Sequence, residues 1–195
     1  MPMEPSDEEV MMDYQSGNES AFRELFHRYQ RRILHFCHRL LGSRAEAEDA
    51  AADVFLVLVA NRTGYRAGHK LSTWLYTLAH HKCVDRIRRR RWTVSLDGAP
   101  EDDEGGHLPL DPPSTEESVV EGLSREQVAG RVRQALAMLP SEQREAIILH
   151  QYQGCSYDEI GQILHCSLAK VKILMFRGKE RLREELATFI QGERS

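Results

Sequence analysis

The stretch LPSEQREAIILHQYQGCSYDEIGQILHCSLAKVKILMFRGKERLREEL, Leu139 to Leu186, spells three helices separated by two tight breaks, the last helix basic. Ser156 stands three residues before Glu159, a capping box in which hydroxyl and carboxylate satisfy each other's backbone N–H groups. A helix therefore begins near Tyr157. His165-Cys166-Ser167 interrupts it, and Ser167 can cap a second helix whose apolar residues Leu168, Val171, Met175, Leu182 and Leu186 fall at helical spacing. Gly178 lies on that stripe, where a missing side chain lets another helix approach. With those residues inward, Lys170, Lys172, Ile173, Phe176, Arg177 and Lys179 are left outside, a face suited to a major groove and its phosphates. The pattern is that of a DNA-binding helix-turn-helix; the competing reading of the basic face is a solvated helix surface.

The charge of the chain is unevenly spread. Residues 1–92 carry 15 basic against 12 acidic side chains, residues 93–124 none against 9, and residues 125–195 carry 11 against 9, so a net charge of −4 conceals two cationic modules. The middle segment, TVSLDGAPEDDEGGHLPLDPPSTEESVVEGLS, is rich in Asp, Glu, Pro, Gly and Ser and offers little to fill a core. It reads as an acidic linker, either a solvated spacer or a mimic of nucleic acid inside a basic channel. The expected division is a tail over 1–18, a helical domain over 19–92, the linker over 93–124, a helix-turn-helix domain over 125–190 and a tail over 191–195. The fold class is all-α, two small helical domains.

In the first module, Phe22, Leu25, Phe26, Tyr29, Ile33, Phe36, Cys37 and Leu40 recur at intervals of three and four, giving one amphipathic helix, or two nearly collinear ones, stopped by Gly42. Ser43 and Glu46 form another capping box, and Ala47, Ala51, Val54, Phe55 and Leu58 are the buried stripe of a helix to about Ala60. Its other face carries Glu48, Asp49 and Asp53, either plain surface or a dock for a basic partner. The segment NRTGYRAGHK is a loop. Ser72 is then expected to cap a third helix, STWLYTLAHHKCVDRIRRRRW, with Leu75, Leu78, Ala79, Cys83 and Ile87 inward. Its opposite side offers His80, His81, Lys82, Arg86 and then Arg88, Arg89, Arg90 and Arg91. Four consecutive arginines cannot share one helix face, so they form a cationic collar, one that would grip phosphate from several directions or else a solubilising tail or localisation-like basic cluster. Tyr65, Trp74, Tyr76 and Trp92 are interleaved with this charge and could stack on unpaired bases, although Trp74 fits a core position better.

The combined pattern resembles the sigma-70 family of bacterial RNA polymerase sigma factors, in its small two-domain extracytoplasmic-function (ECF) group, over Glu19 to Trp92 and Ala129 to Leu186. RAEAEDAAADVFLVLV is similar to the family's polymerase-binding helix, LSTWLYTLAHHKCVDRIRRRR to its promoter-melting helix, and the final helix-turn-helix to its minus-35 reader. The resemblance implies that Glu48, Asp49, Asp53, Phe55 and neighbouring apolar residues dock on the clamp helices of the polymerase's largest subunit, with the flap as a further polymerase contact. It implies that the loop from Arg62 through Tyr65 and Arg66 to His69 holds a flipped base of the minus-10 element. His80, His81, Lys82, Arg86, Arg88 and Arg89 would then track the single strand. At minus-35 it implies Ser167, Lys170, Lys172, Ile173, Phe176 and Arg177 on duplex DNA. The acidic linker would run toward the RNA exit path, and an anti-sigma factor is an implied partner.

Three departures from the family pattern stand out. Ala50, Ala51 and Ala52 replace Leu-Val-Gln in the polymerase-binding helix. His80 and His81 replace Arg-Asn in the melting helix, which changes the hydrogen bonds offered to the minus-10 strand. Ile173 and Leu174 replace Ser-Arg in the reader, where Ile173 could meet a thymine methyl or a protein partner.

Two other classes compete. A helix-turn-helix regulator that never joins polymerase accounts for the last module but leaves the acidic helix, loop and arginine collar of the first without a purpose. A metal sensor or enzyme would draw on His80, His81 and Cys83, or on His150, Cys155, His165 and Cys166. These sets lie on different modules without CxxC or HxxxH spacing, and no nucleophile stands beside a base. No cofactor, metal or catalytic residue is expected. No apolar run approaches the ~18 residues of a membrane span, and MPMEPSDEEVMMD lacks the regions of a signal peptide, so the expected location is the cytoplasm, without membrane insertion.

Overall fold

The computed structural model describes residues 4–66, 68–97 and 125–192. Among these residues all regular structure is helical, in two units, each built around one long helix. Most of the acidic segment, 98–124, lies outside the described residues, as do the side chains of Arg91 and Trp92.

The first unit holds α1 (Asp7–Ser16), α2 (Glu19–Leu41), α3 (Arg44–Ala60), a single 3₁₀ turn (Arg62–Gly64) and α4 (Leu71–Asp97). The apolar stripe of α2 is one continuous helix, ending at Gly42 as its sequence spells. Its buried side chains Leu25, Tyr29, Ile33 and Phe36 form the axis on which α1, α3 and α4 pack. Ring contacts extend that axis, Phe36 lying 5.4 Å from Tyr76 of α4. Burying each such side chain is worth roughly 1.5–3 kcal/mol before the entropy of ordering is counted.

Three expectations need correction here. Residues 7–16 are not part of a tail: α1 is a helix with a full capping box. Ser6 Oγ accepts from the Glu9 N–H, and the Glu9 carboxylate accepts from the Ser6 N–H at 2.7 Å. That contact holds the Glu9 carboxyl below its usual pKa. Val10, Met11 and Tyr14 of α1 are buried. Ser72 does not cap α4, because the helix already begins at Leu71, whose N–H donates to the Glu8 carboxylate of α1 at 2.9 Å. The third difference is length, since α4 continues through Asp97, five residues past the expected end of the domain.

The second unit holds α5 (Arg125–Met138), α6 (Ser141–Gln151), α7 (Tyr157–Ile163) and α8 (Leu168–Gly192). Helix α5 precedes the three that Leu139 to Leu186 spell, and with α6 it packs on α8. Ile147, Ile148 and Leu149 of α6, Ile160 and Ile163 of α7, and Val171, Leu174 and Met175 of α8 form the core. Gly178 serves the close approach its position suggests: a Cβ there would stand 2.7 Å from Ile147 Cδ1.

Candidate nucleic-acid interface

The helix-turn-helix is assembled almost wholly from neighbours in sequence. At the start of α7 the Glu159 carboxylate accepts from the Ser156 N–H at 2.7 Å while Ser156 Oγ accepts from the Glu159 N–H at 3.3 Å. The helix ends in a Schellman turn: His165 takes the left-handed region at φ 50°, and the Cys166 N–H donates to the Gly161 carbonyl at 2.9 Å. Gly161 is required there, since a Cβ would lie 2.9 Å from the Cys166 carbonyl oxygen. Ser167 Oγ then accepts from the Lys170 N–H at 3.2 Å and starts α8.

On α8, Val171, Leu174 and Met175 face the core, whereas Lys172, Ile173, Phe176, Arg177 and Lys179 face outward. Leu174 is thus a core residue, one helical step from Val171, and only Ile173 of the unusual Ile-Leu pair reaches the surface. Leu168, expected inward, keeps 40% of its surface exposed. Phe176 keeps 63% of its surface open, a large apolar group on a cationic helix face. Lys170 is exposed but engaged, its Nζ 2.7 Å from Glu142 of α6, and that carboxylate raises its pKa.

The first unit sorts its candidates more severely. Asp53 and Arg86, assigned to polymerase and to DNA respectively, pair with each other across α3 and α4 at 2.9 Å. The pair spans two packed helices, so each charge is already answered within the fold. Phe55 is buried, its ring edge-on to Phe26 at 4.7 Å, and supports the surface rather than forming it. Glu48 and Asp49 are exposed, Glu48 paired with Arg44 at 2.8 Å one turn earlier.

The apolar neighbours that the sequence left unnamed stand beside them. Leu56 keeps 65% of its surface open and Val59 about half, and with Ala52 they continue the line of Glu48 and Asp49 along α3. The signal was present in FLVLV, where apolar residues occupy more faces than one core stripe can use. The alanine run divides in the same way: Ala50 and Ala51 are core and only Ala52 is outside.

The connection between α3 and α4 also departs from expectation. Tyr65 is only 4% exposed; its hydroxyl donates to the His69 carbonyl, and its ring lies 5.9 Å from half-buried Trp74. Burial, more than the nearby Glu8 charge, raises its phenol pKa. Neither Tyr65 nor the fully buried Tyr76 offers a stacking face in this conformation. Arg62 is half-buried, 3.0 Å from Glu19 and with its guanidinium 5.2 Å from the centre of the Tyr14 ring. Arg66 and His69 are the exposed candidates of this connection.

Along α4, His81, Arg88 and Arg89 are exposed, and His80 and Lys82 are half-buried. Arg90 is held by the fold, its guanidinium 3.7 Å from Glu46 and donating to the Leu41 carbonyl at 3.5 Å. No cluster of three or more metal-ligating side chains occurs among the described residues, and His150 is used structurally, its ring nitrogen 2.9 Å from the Cys155 carbonyl.

A helix-turn-helix with a cationic outer face, and a second helical unit presenting further cationic side chains, have the features of a DNA-binding protein. Residues 25–93 match the family described as Sigma-70 region 2, and residues 129–182 match Sigma-70, region 4. The chain is 32% identical to the ECF RNA polymerase sigma factor SigW of Bacillus subtilis, over 87% of this chain and 91% of that protein. It is 27% identical to the RNA polymerase sigma-H factor of Pseudomonas aeruginosa, over 98% and 99% respectively. Two solved structures share the fold. The sigma factor RpoE of Bartonella quintana, in complex with the anti-sigma factor NepR, has a TM-score of 0.67 at 24% identity, over 85% of this chain and 96% of that one. CnrH in complex with the cytosolic domain of CnrY has a TM-score of 0.70 at 19% identity, over 94% and 99%. The chain belongs to the sigma-70 family, in the ECF group of alternative sigma factors, which bring RNA polymerase to promoters. That membership removes the regulator that never joins polymerase.

Proposed function

We propose that this factor divides initiation among three surfaces. The stripe Glu48, Asp49, Ala52, Leu56 and Val59 on α3 docks on the clamp helices of the polymerase's largest subunit, and the second unit meets the flap. Arg66 and His69, with His81, Arg88 and Arg89 of α4, hold the displaced minus-10 strand through phosphate and base contacts. Lys172, Phe176 and Arg177, aided by Ile173, read the minus-35 duplex from the major groove. Polymerase supplies the chemistry; this chain supplies recognition and the opening of DNA. The factor acts in the cytoplasm, on the nucleoid when bound to polymerase. An anti-sigma partner holds it inactive by covering these surfaces.

The observation that carries the reading is the α3 stripe, where a leucine 65% open to solvent continues a line begun by two exposed carboxylates. Such a mixture costs solubility on a free surface and gains only when a partner with basic and apolar groups covers it. Charge reversal, Glu48→Lys with Asp49→Lys, is expected to release the factor from core polymerase by more than tenfold, while helical content and duplex binding by the second unit stay as they were. Retention of the double variant at wild-type affinity in a pull-down with purified core polymerase would refute the docking assignment.

A further inference from the structure

Helix α1 holds the backbone of the α3–α4 connection and of the start of α4 at three points. The Gln15 side-chain amide donates both hydrogens, one to the Arg62 carbonyl at 2.8 Å and one to the Tyr65 carbonyl at 2.9 Å. Both partners are carbonyl oxygens, so the orientation of the amide is unambiguous and its donor capacity is used up. The Glu8 carboxylate takes the Leu71 N–H at 2.9 Å, an otherwise orphaned donor in the first turn of α4, and sets a negative charge at that helix start.

Helix α1 is itself anchored on α2. Asp7 accepts from Arg28 at 2.8 Å and from the Tyr29 hydroxyl, and Val10, Met11 and Tyr14 are buried. A further clasp, Tyr65 hydroxyl to His69 carbonyl, joins the two halves of the connection to each other. Arg66 follows the Gln15-bound carbonyl of Tyr65 directly, and His69 stands two residues before the Glu8-bound N–H of Leu71.

We propose that Gln15 and Glu8 of α1 are positioning residues for minus-10 recognition, fixing the backbone from which Arg66 and His69 are presented to the displaced strand. The proposal rests on the assignment of this connection to the minus-10 element. Neither side chain touches DNA. Each removes freedom from a segment whose two exposed side chains must arrive at a base together, so the ordering is met during folding rather than at binding.

The test uses holoenzyme reconstituted from core polymerase and full-length factor, with a promoter chosen by the wild-type holoenzyme from a genomic pool. Binding of fluorescent single-stranded oligonucleotides carrying the non-template minus-10 sequence is measured, each position replaced in turn by the other three bases. Gln15→Ala is expected to weaken the best oligonucleotide roughly tenfold, about the worth of one well-placed base contact, and to flatten the base preference. Glu8→Ala should act in the same direction. Glu8→Gln should restore much of the preference, because its amide oxygen still accepts from the Leu71 N–H. Retention on core polymerase and binding of minus-35 duplex should match wild type in all three.

Wild-type affinity and preference in Gln15→Ala would overturn the proposal. So would losses in Gln15→Ala and Glu8→Ala that merely track lowered core retention, the mark of a general structural role. A wild-type holoenzyme without any base preference on this strand would overturn the minus-10 assignment itself, and the proposal with it.

Discussion

The helix-turn-helix and the α3–α4 connection are both candidates to meet DNA, and they are held in shape by opposite means. Around α7 and α8 the decisive bonds join residues three to five apart: Ser156 with Glu159, Cys166 with Gly161, Ser167 with Lys170. In the α3–α4 connection local bonds such as Tyr65 to His69 are joined by three between residues 47, 50 and 63 positions apart, all three reaching back to α1. A local bond forms whenever its own turn forms, whereas a remote one exists only while the whole unit is folded and the intervening chain has met its closure entropy. The proposed reader of the duplex is therefore expected to keep its shape without the first unit, whereas the proposed holder of the single strand is expected to depend on distant packing.

The largest test of that contrast is Met11→Ala. Met11 is fully buried in α1, and the cavity should cost the first unit about 2–5 kcal/mol. Both tryptophans, Trp74 and Trp92, lie in α4, so denaturant unfolding followed by tryptophan fluorescence isolates this unit. Binding of a minus-35 duplex should be unchanged; a matching loss there would show that the helix-turn-helix is not self-sufficient.

Gly161→Ala is the converse. Its new methyl meets a backbone carbonyl that cannot swing away, so overpacking of about 1–3 kcal/mol is expected in the second unit. The fluorescence transition should stay in place while a part of the circular-dichroism transition moves to lower denaturant. At the level of function, Lys172→Ala and Arg177→Ala should each reduce the salt slope of minus-35 duplex binding by about 0.9, without altering capture of the minus-10 strand. An unchanged slope would place both side chains off the phosphates. The smallest contrast concerns two serines that look alike in sequence. Ser156→Ala should destabilise the second unit by about 1 kcal/mol, because it removes a working cap, while Ser72→Ala should stay within about 0.5 kcal/mol. Equal costs would contradict the assignment of Glu8 as the cap of α4.

Legibility followed the same division. Helix starts at Arg44, Tyr157 and Leu168 could be read because Ser43, Ser156 and Ser167 cap within three residues. The same signal, Ser6 before Glu9, marks α1, inside the segment expected to be a tail. The outward face of α8 was legible from helical spacing. The apolar half of the α3 stripe was not, because Leu56 and Val59 resemble core residues until it is seen that Val54, Phe55 and Leu58 already fill the buried side.

The order of the residues alone determined two cationic modules with an acidic segment between them, an all-helical fold, a helix-turn-helix and a membership legible in three motifs. Only the tertiary structure decided which of the candidate charges and rings are paired or enclosed within the fold. Asp53 is answered by Arg86, 33 residues away, Arg62 by Glu19, 43 away, and Tyr65 is enclosed beside Trp74. Caps and helix faces are properties of a few adjacent residues and are written in their spacing. Availability depends on which distant side chain the packing brings within a few ångströms, and spacing along the chain carries no record of that.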